Sequence, residues 1–210
     1  MTDFLHFFLE AYRNTPPLWI LLEALAFAFG IISVVYAKKA RILVYPTGLV
    51  ATTITVYLLY KAAYYGDMMM NVYYSAMSLY GWYNWARKKN DQVLVKISRI
   101  NRKETWVGTG FFLITMGVTY AVYKGFGKPL ELVNYIDIVS SGIFFTAMWY
   151  MANKKLESWV LWVLGDIITV PLYAYRGLGM LSLQYLIFTI LAIQGYLAWK
   201  KHLDNTVQTK

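Results

Sequence analysis

Residues 18–37 read LWILLEALAFAFGIISVVYA, twenty positions carrying a single charge, Glu23. At ~1.5 Å of rise per residue, a helix of that length reaches across the ~30 Å hydrocarbon core of a bilayer, so the stretch is predicted to span a membrane. Six further apolar stretches follow at close intervals, placed at 44–63, 68–86, 105–124, 133–152, 157–175 and 179–199. Seven spans of about 20 residues each leave only short loops in a chain of 210 residues and no room for a soluble domain. Composition points the same way: 59% of residues are hydrophobic and 15% charged, with a mean hydropathy of +0.43, more apolar than a soluble core requires. The predicted fold class is all-α and integral to the membrane.

Lys and Arg number 20 against 11 Asp and Glu, an excess that in a soluble protein would suggest nucleic acid. Here placement carries the meaning. On alternate sides of the membrane, fifteen basic residues fall together: Lys38, Lys39, Arg41, Arg87, Lys88, Lys89, Lys96, Arg99, Arg102, Lys103, Lys154, Lys155, Lys200, Lys201 and Lys210. The opposite side holds five, Arg13, Lys61, Lys124, Lys128 and Arg176. The positive-inside rule with an odd number of spans predicts an outside N-terminus and a cytoplasmic C-terminus, in a multi-pass protein of a bacterial-type inner membrane. The partner expected is the lipid bilayer, not nucleic acid. There is no cysteine, and the two histidines, His6 and His202, lie near the ends, so neither a metal site nor a cofactor is predicted. Residues 4–12, FLHFFLEAY, are amphipathic but too short to span, so 1–17 is read as an interfacial segment ending at Pro16-Pro17. Asp3, His6, Glu10 and Arg13 interrupt it, unlike a signal peptide, and the first span is read as its own insertion signal.

The two halves of the chain echo each other. Gly81-Trp82-Tyr83-Asn84-Trp85-Ala86-Arg87 is matched by Gly195-Tyr196-Leu197-Ala198-Trp199-Lys200-Lys201 at an offset of 114. Ala37-Lys38-Lys39 is matched by Ala152-Asn153-Lys154 at 115, and Tyr45-Pro46-Thr47-Gly48 by Trp162-Val163-Leu164-Gly165 at 117. These ordered matches predict a first three-helix repeat at 18–86, a basic cytoplasmic loop with a linking helix at 87–132, a second three-helix repeat at 133–199 and a cytoplasmic tail at 200–210. Each unit crosses an odd number of times, so the single linking helix makes the second run parallel to the first, in a 3+1+3 arrangement with a solute site between the units.

Ionisable residues inside spans face a cavity or a partner, because exposing one to lipid costs about 3 kcal/mol even on lenient scales. Asp166 lies in mid-span, with Asp137 one turn into the fifth span and Glu23 early in the first. In the third span Asn71, Ser75, Ser78 and Trp82 recur at i, i+4, i+7 and i+11, one helical stripe of amide, hydroxyls and indole. Tyr74 adjoins it, and Trp149, Trp162 and Gln194 extend the polar-aromatic set to the later spans. Amides and hydroxyls among rings suit a ring-bearing, hydroxyl-rich solute. A membrane enzyme would need a convergent catalytic set, and the sequence offers none, so a non-enzyme is predicted. In a non-transporting scaffold or receptor, the reading from another class, the polar stripe and the repeat would have no purpose.

These residues together resemble the PnuC family of bacterial nicotinamide riboside transporters, a relative of the SWEET sugar transporters, over residues 18–201. The landmarks are Glu23, Tyr45-Pro46-Thr47-Gly48, Tyr65-Gly66-Asp67 leading to Asn71, Tyr80-Gly81-Trp82 with Trp85, Asp137, Trp149, Glu157-x-Trp159-x-x-Trp162-x-x-x-Asp166, and Gly195 with Trp199. Tyr45 stands where the family pattern has Trp, and Met148 where Gln is expected. The resemblance implies a 3+1+3 fold and a facilitator working by alternating access, driven by a cytoplasmic riboside kinase that phosphorylates its substrate. Thiamine or riboflavin is the alternative cargo within such a family. Self-association as a homo-oligomer is left open.

Overall fold

The computed structural model describes residues 16–61, 65–89, 92–125, 130–175 and 179–208. The interfacial reading of 4–12 and the basic residues Arg13, Lys128, Arg176 and Lys210 lie outside them. Among the described residues seven helices form: α1 Pro17–Lys38, α2 Val44–Lys61, α3 Tyr65–Ala86, α4 Arg102–Gly125, α5 Leu132–Ala152, α6 Glu157–Tyr175 and α7 Gly179–Gln208. Five of them, α1, α4, α5, α6 and α7, are long and apolar enough to cross a membrane, making this a multi-pass membrane protein. Thr52, Thr53 and Thr55 dilute the apolar character of α2, as Asn71, Ser75 and Ser78 do that of α3.

Local chemistry sets the helix ends. Pro17 opens α1 at a position where its missing N–H is no loss. Asn101 and Glu104 cap α4 reciprocally, each side chain accepting from the other's backbone N–H at 2.9 Å, so α4 begins at Arg102, ahead of the predicted 105. The last helix departs most from expectation. The predicted tail continues α7 to Gln208, because no Gly or Pro follows Trp199 and Leu203 packs on the core. The basic loop is also structured: β1 Lys88–Lys89 pairs antiparallel with β2 Gln92–Val93. Further on, Ser98 bridges to the α5–α6 corner through Ser98 N to Lys154 O and Leu156 N to Ser98 O, and Lys155 forms an ion pair with Glu104 at 2.7 Å.

Neighbour relations define a ring. α1 packs on α2 and α2 on α3; α5 packs on α6 and α6 on α7; α3 meets α5 and α7 meets α1. α4 lies along α5, with Trp106, Leu113, Ile114 and Val118 exposed along it.

The α1–α2 and α5–α6 corners are built alike. Ala40 and Lys154 both take a left-handed backbone, φ 51°. Each ends its helix through a pair of bonds, Ala40 N to Ala37 O with Arg41 N to Tyr36 O, and Lys154 N to Met151 O with Lys155 N to Tyr150 O. The offset is a uniform 114, as it is for Val44 N to Arg41 O against Ser158 N to Lys155 O. The position corresponding to Tyr45 is therefore Trp159, not Trp162, and the sequence matches at offsets 115 and 117 are out of register. Lys154 is buried with its ammonium 4.3 Å from the Trp85 ring centre, and burial pushes it below the usual lysine range.

The core sits at this Lys-rich end, where Tyr45, Trp85, Trp159 and Trp199 are each at most 3% exposed. Their rings form a chain across the bundle, edge to face for Tyr45 on Trp85 at 5.0 Å and Trp199 on Trp159 at 5.5 Å, and tilted for Trp85 on Trp199 at 6.2 Å. Two indoles also bond across the ring's seams, Trp85 Nε1 to Ala152 O and Trp199 Nε1 to Ala37 O, both at 3.1 Å.

Candidate functional site

Inward of the aromatic plug, a second chain of rings crosses four helices. Tyr73 of α3 stacks on Phe145 of α5 at 3.7 Å and 7°, and its hydroxyl donates to the Phe145 carbonyl at 2.9 Å. Tyr74 lies 6.2 Å from Phe145 and 6.3 Å from Trp162 of α6. Trp162 lies 5.6 Å from Phe144, and Phe144 6.0 Å from Tyr185 of α7. Tyr185 in turn meets Tyr173 at 5.3 Å and Phe188 at 6.1 Å. Such a wall offers flat faces to an aromatic guest.

Polar groups adjoin it. Ser75 Oγ lies 2.7 Å from Thr52 Oγ1 and donates to the Asn71 carbonyl at 2.9 Å, tying α3 to α2. Ser78 is buried one turn on. On α6 the outward face is Val160, Leu164 and Ile167, all exposed, while Asp166 is 2% exposed on the opposite face with Trp162 and Thr169. Asp166 Oδ1 has no hydrogen-bond partner among the described residues.

Of the predicted site residues, the structure thus gathers Asn71, Tyr74, Ser75, Ser78, Trp162 and Asp166 on the ring-facing sides of α3 and α6. Four others go elsewhere. Trp149 stacks on Phe111 of α4 at 5.5 Å, so it docks the peripheral helix. Its neighbour Met148 carries the phase of Phe144 and Ser141, at i+4 and i+7. Gln194 is exposed in phase with Leu186, Ile190, Ile193 and Leu197 of α7, where Lys38 donates to it at 2.9 Å. Asp137 accepts from Tyr123 of α4 at 2.9 Å, a contact between α4 and α5. Trp82, 40% exposed, ends the α3 stripe at the surface.

Sequence reasoning missed Tyr73, Phe144, Phe145, Tyr173, Tyr185 and Thr52. One signal was present. At the offset of 114, Asn71 and Ser75 correspond to Tyr185 and Thr189, and the backbone bonds repeat: Ser75 Oγ to Asn71 O at 2.9 Å, Thr189 Oγ1 to Tyr185 O at 2.8 Å. The phenylalanines carried no such mark, since an inward Phe reads like a lipid-facing one.

Known proteins resemble this chain along most of its length. The sequence model of the nicotinamide mononucleotide transporter family matches residues 20–201. The nicotinamide riboside transporter PnuC of Escherichia coli (strain K12) is 23% identical over 204 residues, covering 86% of this chain and 84% of that protein. That of Neisseria mucosa is 25% identical, covering 89% and 73%. The riboflavin/roseoflavin transporter RibM of Streptomyces davaonensis is 28% identical over 127 residues, 59% of each. Among solved structures, a crystal structure of the vitamin B3 transporter PnuC superposes with a TM-score of 0.71 at 23% identity, covering 97% of this chain and 90% of that one. The matched span, nearly nine-tenths of the sequence, places this chain in the nicotinamide mononucleotide transporter family of membrane transporters.

Proposed function

We propose that the protein carries nicotinamide riboside across the inner membrane by alternating access, as a facilitator whose net uptake is driven by phosphorylation of the riboside by a cytoplasmic kinase. The observation that carries this reading is the ring wall Tyr74–Trp162–Phe144–Tyr185, beside the Asn71, Ser75 and Thr52 polar groups. Rings stack on the pyridine, and hydroxyls and amides serve the ribose and carboxamide.

The moving parts in this proposal are two parallel three-helix units, 18–86 and 133–199, with 87–132 as loop and linking helix. Support for it comes from the closed ring of α1–α3 and α5–α7 with α4 on α5, and from the corners related by an offset of 114. The Lys-rich end is assigned to the cytoplasm by the positive-inside rule, with the N-terminus outside.

Calorimetric titration of detergent-purified protein tests the cargo. Binding of nicotinamide riboside without binding of its phosphate is expected, with thiamine weaker. A preference for riboflavin would favour the second reading, which the likeness to RibM supports. Silence toward all four ligands would remove transport of this class and leave a scaffold. For the driving force, vesicles without kinase are expected to equilibrate the riboside, and vesicles loaded with kinase and ATP to accumulate label as phosphate. Accumulation without kinase would refute the facilitator.

A further inference from the structure

The uniform offset of 114 permits a position-by-position comparison of the two halves. Three pairs differ sharply: Gly30 against Phe144, Gly48 against Trp162, and Thr52 against Asp166. The second half thus supplies two rings and a carboxyl where the first supplies two glycines and a hydroxyl. The polar pair behaves differently as well. Thr52 Oγ1 lies 2.7 Å from Ser75 Oγ. The residue matching Ser75 is Thr189, whose hydroxyl donates to its own helix at Tyr185 O, while Asp166 Oδ1 has no partner among the described residues at 2% exposure.

We infer that Asp166 is the counter-ion of a positively charged aromatic heterocycle, and that this site selects cationic rings over neutral ones of the same shape. This deepens the proposed function and rests on it. A carboxylate removed from water is costly unless a cation or several donors meet it. The described residues of the packed helices supply no such cation near mid-span: within α1, α2, α3, α5 and α6, Lys occurs only at Lys38 and Lys61, the last residues of α1 and α2, and the basic residues of α7 begin at Lys200. From the packed neighbours, α5 offers Ser140, Ser141 and Phe144, and α7 offers Tyr185 and Thr189, none of them positive. Trp162, Asp166 and Tyr173 share one face of α6 at i, i+4 and i+11, so the carboxyl lies between rings whose faces also attract cations. Nicotinamide riboside carries its charge in the ring itself, as an N-glycosylated pyridinium. Its two-electron-reduced form keeps sugar and carboxamide but has a neutral dihydropyridine.

The test is calorimetric titration of the purified full chain with oxidised and reduced nicotinamide riboside, for wild type and Asp166→Asn. The wild type is expected to favour the oxidised cation by about tenfold or more, from loss of an ion pair and of cation–π attraction in a desolvated site. In Asp166→Asn the preference is expected to fall to about twofold, with the neutral form keeping its affinity. Equal binding of both forms by wild type overturns the inference while leaving the proposed cargo class standing. Absence of binding by either form overturns the function itself. Should Asp166→Asn fail to fold, Asp166→Thr, the residue the first half carries at Thr52, takes its place in the same comparison with the same expected outcome. A variant that folds and retains the full preference assigns the charge selectivity elsewhere and likewise overturns the inference.

Discussion

A Cβ added at Gly195 would lie 2.6 Å from Trp159 Cη2 and 2.7 Å from both Cε2 and Cζ2. Carbon atoms rest about 3.5–4.0 Å apart, so Gly195→Ala must push the indole back by roughly 1 Å. The ring has nowhere to go. Trp159 is 1% exposed and stands edge-on to Trp199 at 5.5 Å, which is itself bonded to Ala37 O. Overpacking of a filled core costs about 1–3 kcal/mol, offset by the roughly 0.8–1 kcal/mol that Ala gains over Gly in a helix. The expected net loss is up to about 2 kcal/mol, a fall in melting temperature of up to about 8 °C for a chain of this size. Gly110→Ala and Gly117→Ala are the controls, because an added Cβ there meets nothing within 4 Å; they gain the helix term alone and melt at or slightly above wild type. Scanning fluorimetry in one detergent reads all three. Adding Trp159→Phe to Gly195→Ala is expected to restore at least half the loss, since the smaller ring clears the new methyl. If Gly195→Ala melts with the two controls, helix α7 does not press on Trp159 as described and the plug is looser than its geometry states.

Trp149→Ala, which strips the α4 contact with Phe111, is expected to cost about 1–3 kcal/mol in thermal unfolding while leaving riboside affinity in calorimetry unchanged. Gln194→Ala removes an exposed bond to Lys38 and is expected to shift that affinity by less than about twofold, against the tenfold or more expected of a wall residue. Ala40→Gly, at φ 51°, is expected to raise unfolding stability by up to about 1 kcal/mol by relieving a left-handed alanine; a loss of stability there would contradict the corner geometry.

The membrane character and the helices were legible because a run of twenty apolar residues has few other fates, and because Pro16-Pro17 marks the first start in plain sequence, whereas the Asn101–Glu104 cap that moves the start of α4 back to Arg102 went unread. What could not be read was rotation about each axis at single-residue resolution. Met148 and Trp149 are adjacent, yet successive side chains on a helix point ~100° apart, so one faces with Phe144 and the other meets α4. The indole is the more conspicuous of the two by type, but type does not set rotation. Gln194 was chosen for its amide although its phase is that of Ile190 and Leu197, the exposed side of α7. Nor does any local pattern mark α4 as peripheral, because contact between α3 and α5 depends on residues far apart in sequence. Asp166 was legible because a lone carboxylate in mid-span stands out by type, whatever its rotation.

The plug unites these strands. Trp85 Nε1 joins α3 to α5 and Trp199 Nε1 joins α7 to α1, so both seams of the ring are fastened at the same end. Under alternating access, opening that end toward the cytoplasm must break both bonds, at about 0.5–1.5 kcal/mol each, the net worth of such a bond. The same plug holds two buried polar atoms without partners among the described residues, Tyr45 Oη and Trp159 Nε1, at positions related by the offset of 114. Each unmade bond costs about 1–3 kcal/mol while the end stays shut and is recovered once water enters. The orphaned groups at least match the two latches, so the closed arrangement is held by packing of the four rings with no polar surplus. For the alternating access proposed above, such a composition keeps the end openable, since latches without the orphaned groups would favour closure and the orphaned groups without latches would favour opening.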